Sequence, residues 1–283
     1  MDTITKGSEL RSCVAEQRSA GHRVAFVPTM GNLHAGHLAL VDKAKELAQY
    51  TVASIFVNPT QFVAGEDFET YPRTLDQDHI ELKRRGIDLL FVPDVRELYP
   101  RGLQDQTRVE VPALDGMLCG AFRPGHFAGV ATIVTKLFNL VQPNLAIFGE
   151  KDYQQLLLIR RLVQELLIPV DIVSVPTVRE ADGLAMSSRN NYLTEAERKV
   201  APHLYEVLRR TAQSVNDSSA ELPGVERAGM QELEGCGFRP EYFSIRRASD
   251  LRPPGDTDDA LVILAAAWLG RTRLIDHVAL QKN

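Results

Sequence analysis

From Arg23 to Pro176 short apolar runs alternate with longer amphipathic segments, and that alternation admits few folds. Runs rich in Val, Ile and Phe are suited to burial on both faces, as the strands of a parallel sheet covered by helices must be. Strands are expected at 23–28, 52–57, 87–92, 145–148 and 170–175, with helices at 36–50, 74–85, 127–141 and 153–167 between them. The resulting expectation is a Rossmann-like α/β domain over residues 1–177. Beyond Pro176 the pattern changes to a polar stretch at 179–189, a helix at 195–214 and a polar gap near 216–219. Extended candidates follow at 242–245, 261–267 and 273–275, and Pro253-Pro254-Gly255-Asp256 reads as a surface turn. Residues 178–283 are therefore expected to form a smaller α+β domain that closes over an active site.

Bulk properties remove several function classes. Hydrophobic residues make up 44% of the 283, enough to bury a sizeable core, and the formal charge of −5 offers no excess of cations for DNA or RNA. The segment Met1 to Gly7 lacks the apolar core of a secretory signal, and Asp2 and Glu9 oppose a transit peptide, so a cytoplasmic protein is expected. The apolar stretch 260–269 is too short to span a bilayer, which takes about 20 residues. Cys13, Cys119 and Cys236 are widely spaced and fit neither a disulfide framework nor a zinc site.

The chemistry concentrates at the expected carboxyl ends of strands, where ligands gather in an open parallel sheet. After the first long strand comes Pro28-Thr29-Met30-Gly31-Asn32-Leu33-His34-Ala35-Gly36-His37, a His-x-Gly-His turn opening a helix. Free N–H groups and the helix dipole favour phosphate there, and two imidazoles three residues apart can donate hydrogen bonds as charge builds on a leaving group. A second turn, Gly149-Glu150-Lys151-Asp152-Tyr153-Gln154-Gln155, puts Lys151 where it can meet phosphate, Asp152 at a helix start and Gln155 one turn on. Met186-Ser187-Ser188-Arg189 adds two hydroxyls and a guanidinium, a set suited to gripping a polyphosphate.

The His-x-Gly-His turn resembles the HIGH motif of the nucleotidyltransferase superfamily, and Met186 to Arg189 resembles its KMSKS element. With Ser54 to Phe62, Tyr71 to Thr74, Arg123 to Phe127, Pro176 to Asn190 and Ala266 to Asp276 in the same order, the chain is similar to the pantothenate synthetase family. That resemblance implies ATP-dependent condensation of (R)-pantoate with beta-alanine through a pantoyl-adenylate, releasing AMP and pyrophosphate, with Mg2+ required. It implies catalytic roles for His34, His37, Lys151, Ser187, Ser188 and Arg189. ATP-binding roles extend to Met30, Gly31, Gly149, Asp152, Val178 and Met186. Gln61, Gln155 and Asn58 would hold pantoate, while Arg123 and His126 lie near the pantoate pocket or in a loop that positions it. Mg2+ would rest mainly on phosphate oxygens, with Asp78 as a supporting carboxylate, and Tyr71 would be structural. The resemblance also implies a homodimer, and neither a nucleic acid nor a membrane is an expected partner. Two departures, Thr60 where Met is common and Ala121-Phe122 where polar residues are common, leave the pocket's shape open. The rival readings are another adenylyl-transferring enzyme and an ATP-sensing module without catalysis.

Overall fold

The computed structural model describes residues 1–217 and 221–281. They fall into two compact units, one made of 1–150 with 158–176 and the other of 151–157 with 177–283.

The first unit is a parallel sheet with helices. In chain order it holds β1 (Asp2–Ile4), α1 (Gly7–Ser19), β2 (Val24–Thr29), α2 (Ala35–Leu47), β3 (Tyr50–Ile55), α3 (Leu75–Arg84) and β4 (Leu89–Phe91). The short α4 (Val95–Leu98), α5 (Pro112–Asp115) and α6 (Cys119–Phe122) lead into α7 (His126–Val141), β5 (Leu145–Gly149), α8 (Tyr153–Glu165) and β6 (Asp171–Val175). The first turn of α8 lies in the second unit's share of the chain. Strand order is β1-β4-β3-β2-β5-β6, every pairing parallel. The chain builds outward from β2 through β3 to β4, then returns to place β5 on the other side of β2. The order therefore reverses between β2 and β5, and their carboxyl ends flank the crevice in which this class of sheet takes ligands. Val24 to Val27 and Leu145 to Phe148 are buried, as a central parallel strand requires.

Some boundaries differ from expectation. Helix α2 ends at Leu47, not 50, because Tyr50 pairs with Val24 and so begins β3 two residues early. Strand β1 and helix α1 lie in a segment whose sequence carries no strand-length apolar run. A three-residue edge strand that pairs only with β4 needs none.

The second unit contains α9 (Glu195–Val200), α10 (His203–Asp217), α11 (Leu222–Gly235) and the antiparallel strands β7 (Arg239–Arg247), β8 (Ala260–Leu269) and β9 (Thr272–Gln281). The helix expected at 195–214 is two helices. Pro202 falls between them, where its ring and missing N–H interrupt the ladder. Helix α11 was not expected; Pro223 and Gly224 suggest a turn, yet Pro is well tolerated in a first turn. Leu204, Val207, Leu208 and Leu233 pack on Phe243, Ile263, Ala265 and Leu274 to form this unit's core. Helix α10 runs through Asp217, and the rest of the polar gap expected at 216–219 lies outside the described residues. No helix among the described residues is long and apolar enough to cross a membrane.

Candidate active site

Between β2 and α2 the chain turns through Met30 to Leu33. A helix start leaves its first N–H groups without intrahelical partners, and two imidazoles serve them here. His34 Nδ1 accepts from the Gly36 N–H at 3.1 Å, and His37 Nδ1 accepts from the His34 N–H at 3.4 Å. An amide N–H can only donate, so neither Nδ1 is protonated and each neutral ring carries its hydrogen on Nε2. The ring centroids lie 4.1 Å apart. The sequence thus yields a half-buried pair of imidazole donors at a helix N-terminus, beside the carboxyl end of β2.

The loop that carries this pair is anchored by Asp78. The sequence leaves Asp78 either a supporting carboxylate or a solvated residue on an exposed helix face; the residue is 1% exposed, which rules out the second. Its Oδ2 accepts from the Asn32 N–H at 2.8 Å, its Oδ1 from the Leu33 N–H at 2.8 Å, and the Thr74 hydroxyl donates to Oδ2 at 3.2 Å. Both oxygens accept from this region, so Asp78 anchors the loop. Gly31, at φ +81, completes the turn: a Cβ there would sit 3.0 Å from both Asp78 Oδ2 and Ile55 Cγ2. Among the described residues no group of three or more His, Cys, Asp or Glu gathers to hold a metal.

Past β3, Asn58 to Gln61 form a tight turn. Asn58 Nδ2 donates to Gln61 Oε1 at 3.1 Å, and Gln61 Nε2 lies 3.1 Å from Met30 Sδ, so Met30, Asn58 and Gln61 are brought together. Phe62 follows and meets the buried Tyr71 edge-on at 5.8 Å. Arg123 and His126 converge on the Gln61 backbone: His126 Nδ1 is 2.7 Å and Arg123 Nη2 3.4 Å from the Gln61 carbonyl oxygen. A carbonyl only accepts and a guanidinium only donates. His126 therefore carries its hydrogen on Nδ1 and takes Arg123 Nη1 at Nε2, 3.0 Å away. Both side chains thus contact the backbone of the turn that carries Gln61.

Helix α7 passes so close to this turn that only glycine fits at 129. A Cβ there would lie 2.6 Å from the Thr60 carbonyl carbon and 2.8 Å from the Gln61 nitrogen, both backbone atoms that cannot swing aside. Gly129→Ala is expected to cost about 1–3 kcal/mol by overpacking. Because the displaced turn carries Gln61, acid binding should weaken as well. Thermal unfolding and a titration of the acid substrate check both.

Arg123 is held in turn by Glu66 through a two-pronged ion pair, Nη2 to Oε2 at 2.7 Å and a second contact from Nε to Oε1. Burial opposes ionisation of Glu66, but the Arg123 hydrogen bond and charge outweigh it and hold the carboxyl below its ordinary range. A depressed folded value means the pair's contribution is complete above the unfolded pKa, about 4.3, and is lost as pH falls through the folded one. The wild type should therefore lose stability more steeply than Glu66→Gln on acidification below about pH 4. Urea unfolding at stepped pH checks this, and parallel curves would contradict it.

In the second unit, Lys151 and Asp152 lie in a single turn after β5, with Lys151 Nζ 3.9 Å from Asp152 Oδ1. Gln155 is half-buried in the first turn of α8. Val178 to Met186 form a tight loop closed by Met186 N–H to Val178 O at 3.0 Å and an Arg179–Ala185 bridge. Ser187 then caps the following turn by accepting from the Arg189 N–H at 3.2 Å, and Ser188 is buried. Two residues missed at the sequence level brace this loop. The Arg179 guanidinium grips the buried Asp276 at 2.6 and 2.9 Å and stacks 3.5 Å from the Tyr205 ring centroid. Arg198 ties down Asp182 and Glu180 at 2.6 and 2.5 Å. The Arg179 and Asp276 positions sit inside motif blocks already singled out, but 97 residues apart, and nothing in either block pairs them.

The family model described as pantoate-beta-alanine ligase matches residues 2–279. A pantothenate synthetase of Pseudomonas fluorescens is 56% identical over 280 residues, covering 99% of this chain and 98% of the relative. Among solved structures, a pantothenate synthetase from Thermus thermophilus superposes with a TM-score of 0.91 at 47% identity, covering 98% of this chain and 99% of that one. A pantoate-beta-alanine ligase from Francisella tularensis, solved with beta-gamma ATP and beta-alanine, gives 0.82 at 34%, covering 98% and 97%.

Proposed function

Since this chain belongs to the pantoate–beta-alanine ligase family, whose reaction is the ATP-dependent condensation of pantoate with beta-alanine, we propose that it proceeds through a pantoyl-adenylate formed on the residues described above. The pantoate carboxylate attacks the α-phosphorus of ATP in line, and pyrophosphate leaves. Charge that develops on the phosphates is met by the Nε2–H groups of His34 and His37, the Lys151 ammonium, the hydroxyls of Ser187 and Ser188, and Arg189. Main-chain groups at Met30, Gly31, Gly149 and Val178, with Asp152 and Met186, hold the nucleotide. Gln61 and Gln155 take the pantoate oxygens, with Asn58 behind Gln61. The beta-alanine amine then attacks the acyl carbon, and AMP departs. The mixed anhydride is already activated, so no enzyme nucleophile is used.

Mg2+ enters as the ion that accompanies the phosphates of ATP, the role its chemistry favours, and the commitment of both Asp78 oxygens supports this assignment. The family resemblance supports a homodimer. The observation that carries the reading is the capping geometry at α2, which turns two imidazoles into phosphate donors at a helix start. Incubation of the purified protein with ATP, Mg2+, pantoate and beta-alanine should yield AMP and the amide in equal amounts. Formation of ADP, or AMP without the amide, would overturn the proposal.

A further inference from the structure

The turn at Asn58 to Gln61 rests on a buried polar network that decides which way an amide faces. Asn58 is 1% exposed and Tyr99 2%. The Thr60 N–H, which can only donate, points at Asn58 Oδ1 from 3.4 Å, and the Tyr99 hydroxyl donates to the same oxygen at 2.6 Å. The Gly129 carbonyl, which can only accept, lies 3.2 Å from Asn58 Nδ2. These partners permit one orientation of the Asn58 amide, with nitrogen toward Gly129 and Gln61. The Gln61 atom 3.1 Å from that nitrogen must accept, so it is Oε1. Gln61 Nε2 is thereby turned away, with Met30 Sδ, a weak acceptor, beside it at 3.1 Å.

Tyr99 is itself held in place. Lys136 Nζ lies 3.8 Å from its ring centroid and donates to the Leu98 carbonyl at 2.8 Å. The Thr60 hydroxyl, at the position where the chain departs from its family's usual Met, sits 3.0 Å from Asn58 Oδ1 and 3.2 Å from the Tyr99 oxygen.

We propose that Tyr99, acting through Asn58, is a positioning residue that locks the Gln61 amide with its NH2 outward, so that Gln61 recognises an oxygen acceptor on the hydroxy-acid substrate. The inference rests on the reading that Gln61 faces that acid. It adds a direction to the contact: Gln61 donates, and the substrate oxygen it meets is a hydroxyl lone pair or a carboxylate oxygen. Any hydrogen on that oxygen must find its acceptor elsewhere.

Steady-state kinetics with varied pantoate, at saturating ATP and beta-alanine, distinguish the possibilities in wild type, Gln61→Glu and Tyr99→Phe. Gln61→Glu keeps the shape and the acceptor for Asn58 but has no donor to offer, so pantoate KM should rise at least about 100-fold. Tyr99→Phe should raise pantoate KM about 5- to 10-fold, with kcat at saturation within about twofold. Its ATP KM should not change. The inference fails if Gln61→Glu keeps pantoate KM within about threefold of wild type, as it would if the amide accepted from a substrate hydroxyl. It fails equally if Tyr99→Phe leaves pantoate KM unchanged, or moves the pantoate and ATP constants together as a loss of structure would. Should Gln61→Glu not fold, the Tyr99→Phe split decides alone. A wild type that makes no amide from pantoate removes the functional reading, and this inference with it.

Discussion

His37→Ala is expected to lower turnover about 100- to 1000-fold, the loss typical of a donor aimed at developing charge. The fold should be little affected. The His34 N–H donates to this ring at 3.4 Å at a helix start, where water can replace the acceptor, and losing such a cap costs about 1 kcal/mol. The effect should fall mainly on kcat, because a phosphate already charged in the ground state gains most from Nε2–H as further charge accumulates. Lys151→Ala should behave alike. Far-UV circular dichroism with initial rates checks the pair, and turnover within tenfold of wild type would remove that residue from the machinery.

Asp78→Ala is expected to damage both stability and rate. It strips the acceptors from the Asn32 and Leu33 N–H groups, which the carboxylate reaches at 2.8 Å each from a 1% exposed position. Hydrogen bonds to a charged acceptor contribute about 1.5–3 kcal/mol each, so losing two should cost about 3–6 kcal/mol. The loop so released carries His34, and turnover should fall about 100-fold as the imidazole pair loses its placement. Asp78→Asn is an informative companion. It preserves shape but sets an NH2 against one of the two backbone donors, so it too should be destabilised, by thermal unfolding, relative to wild type. A fully active, fully stable Asp78→Asn would show that the carboxylate is not the anchor.

The parts of the fold that read directly from the residues are those in which one local pattern settles the outcome. Strands β2, β3 and β5 announce themselves because a strand buried on both faces has to be largely apolar, and Ala260 to Leu269 does so for the same reason as the middle of the second sheet. Where tertiary pairing decides, the pattern is silent. Strand β1 exists through its pairing with Leu89 to Phe91, and α11 overrides a Pro-Gly pair that by itself signals a turn.

The site divides in the same way. His34, Gly36 and His37 are close in sequence, so their mutual capping follows from spacing. Asp78 meets its partners 45 and 46 residues away and Tyr99 meets Asn58 41 residues away. A carboxylate on a helix of charged residues looks solvated until the fold buries it. Likewise the shared contact of Arg123 and His126 with the Gln61 carbonyl, 62 and 65 residues away, is not legible in their own segment.

Adenylate formation requires that pantoate, without the amine, engage ATP. ATP–pyrophosphate exchange measured with pantoate present and beta-alanine absent should proceed, and it should stop when pantoate is withdrawn. Exchange that ignores pantoate, or none until beta-alanine is added, would contradict an adenylate built on these residues.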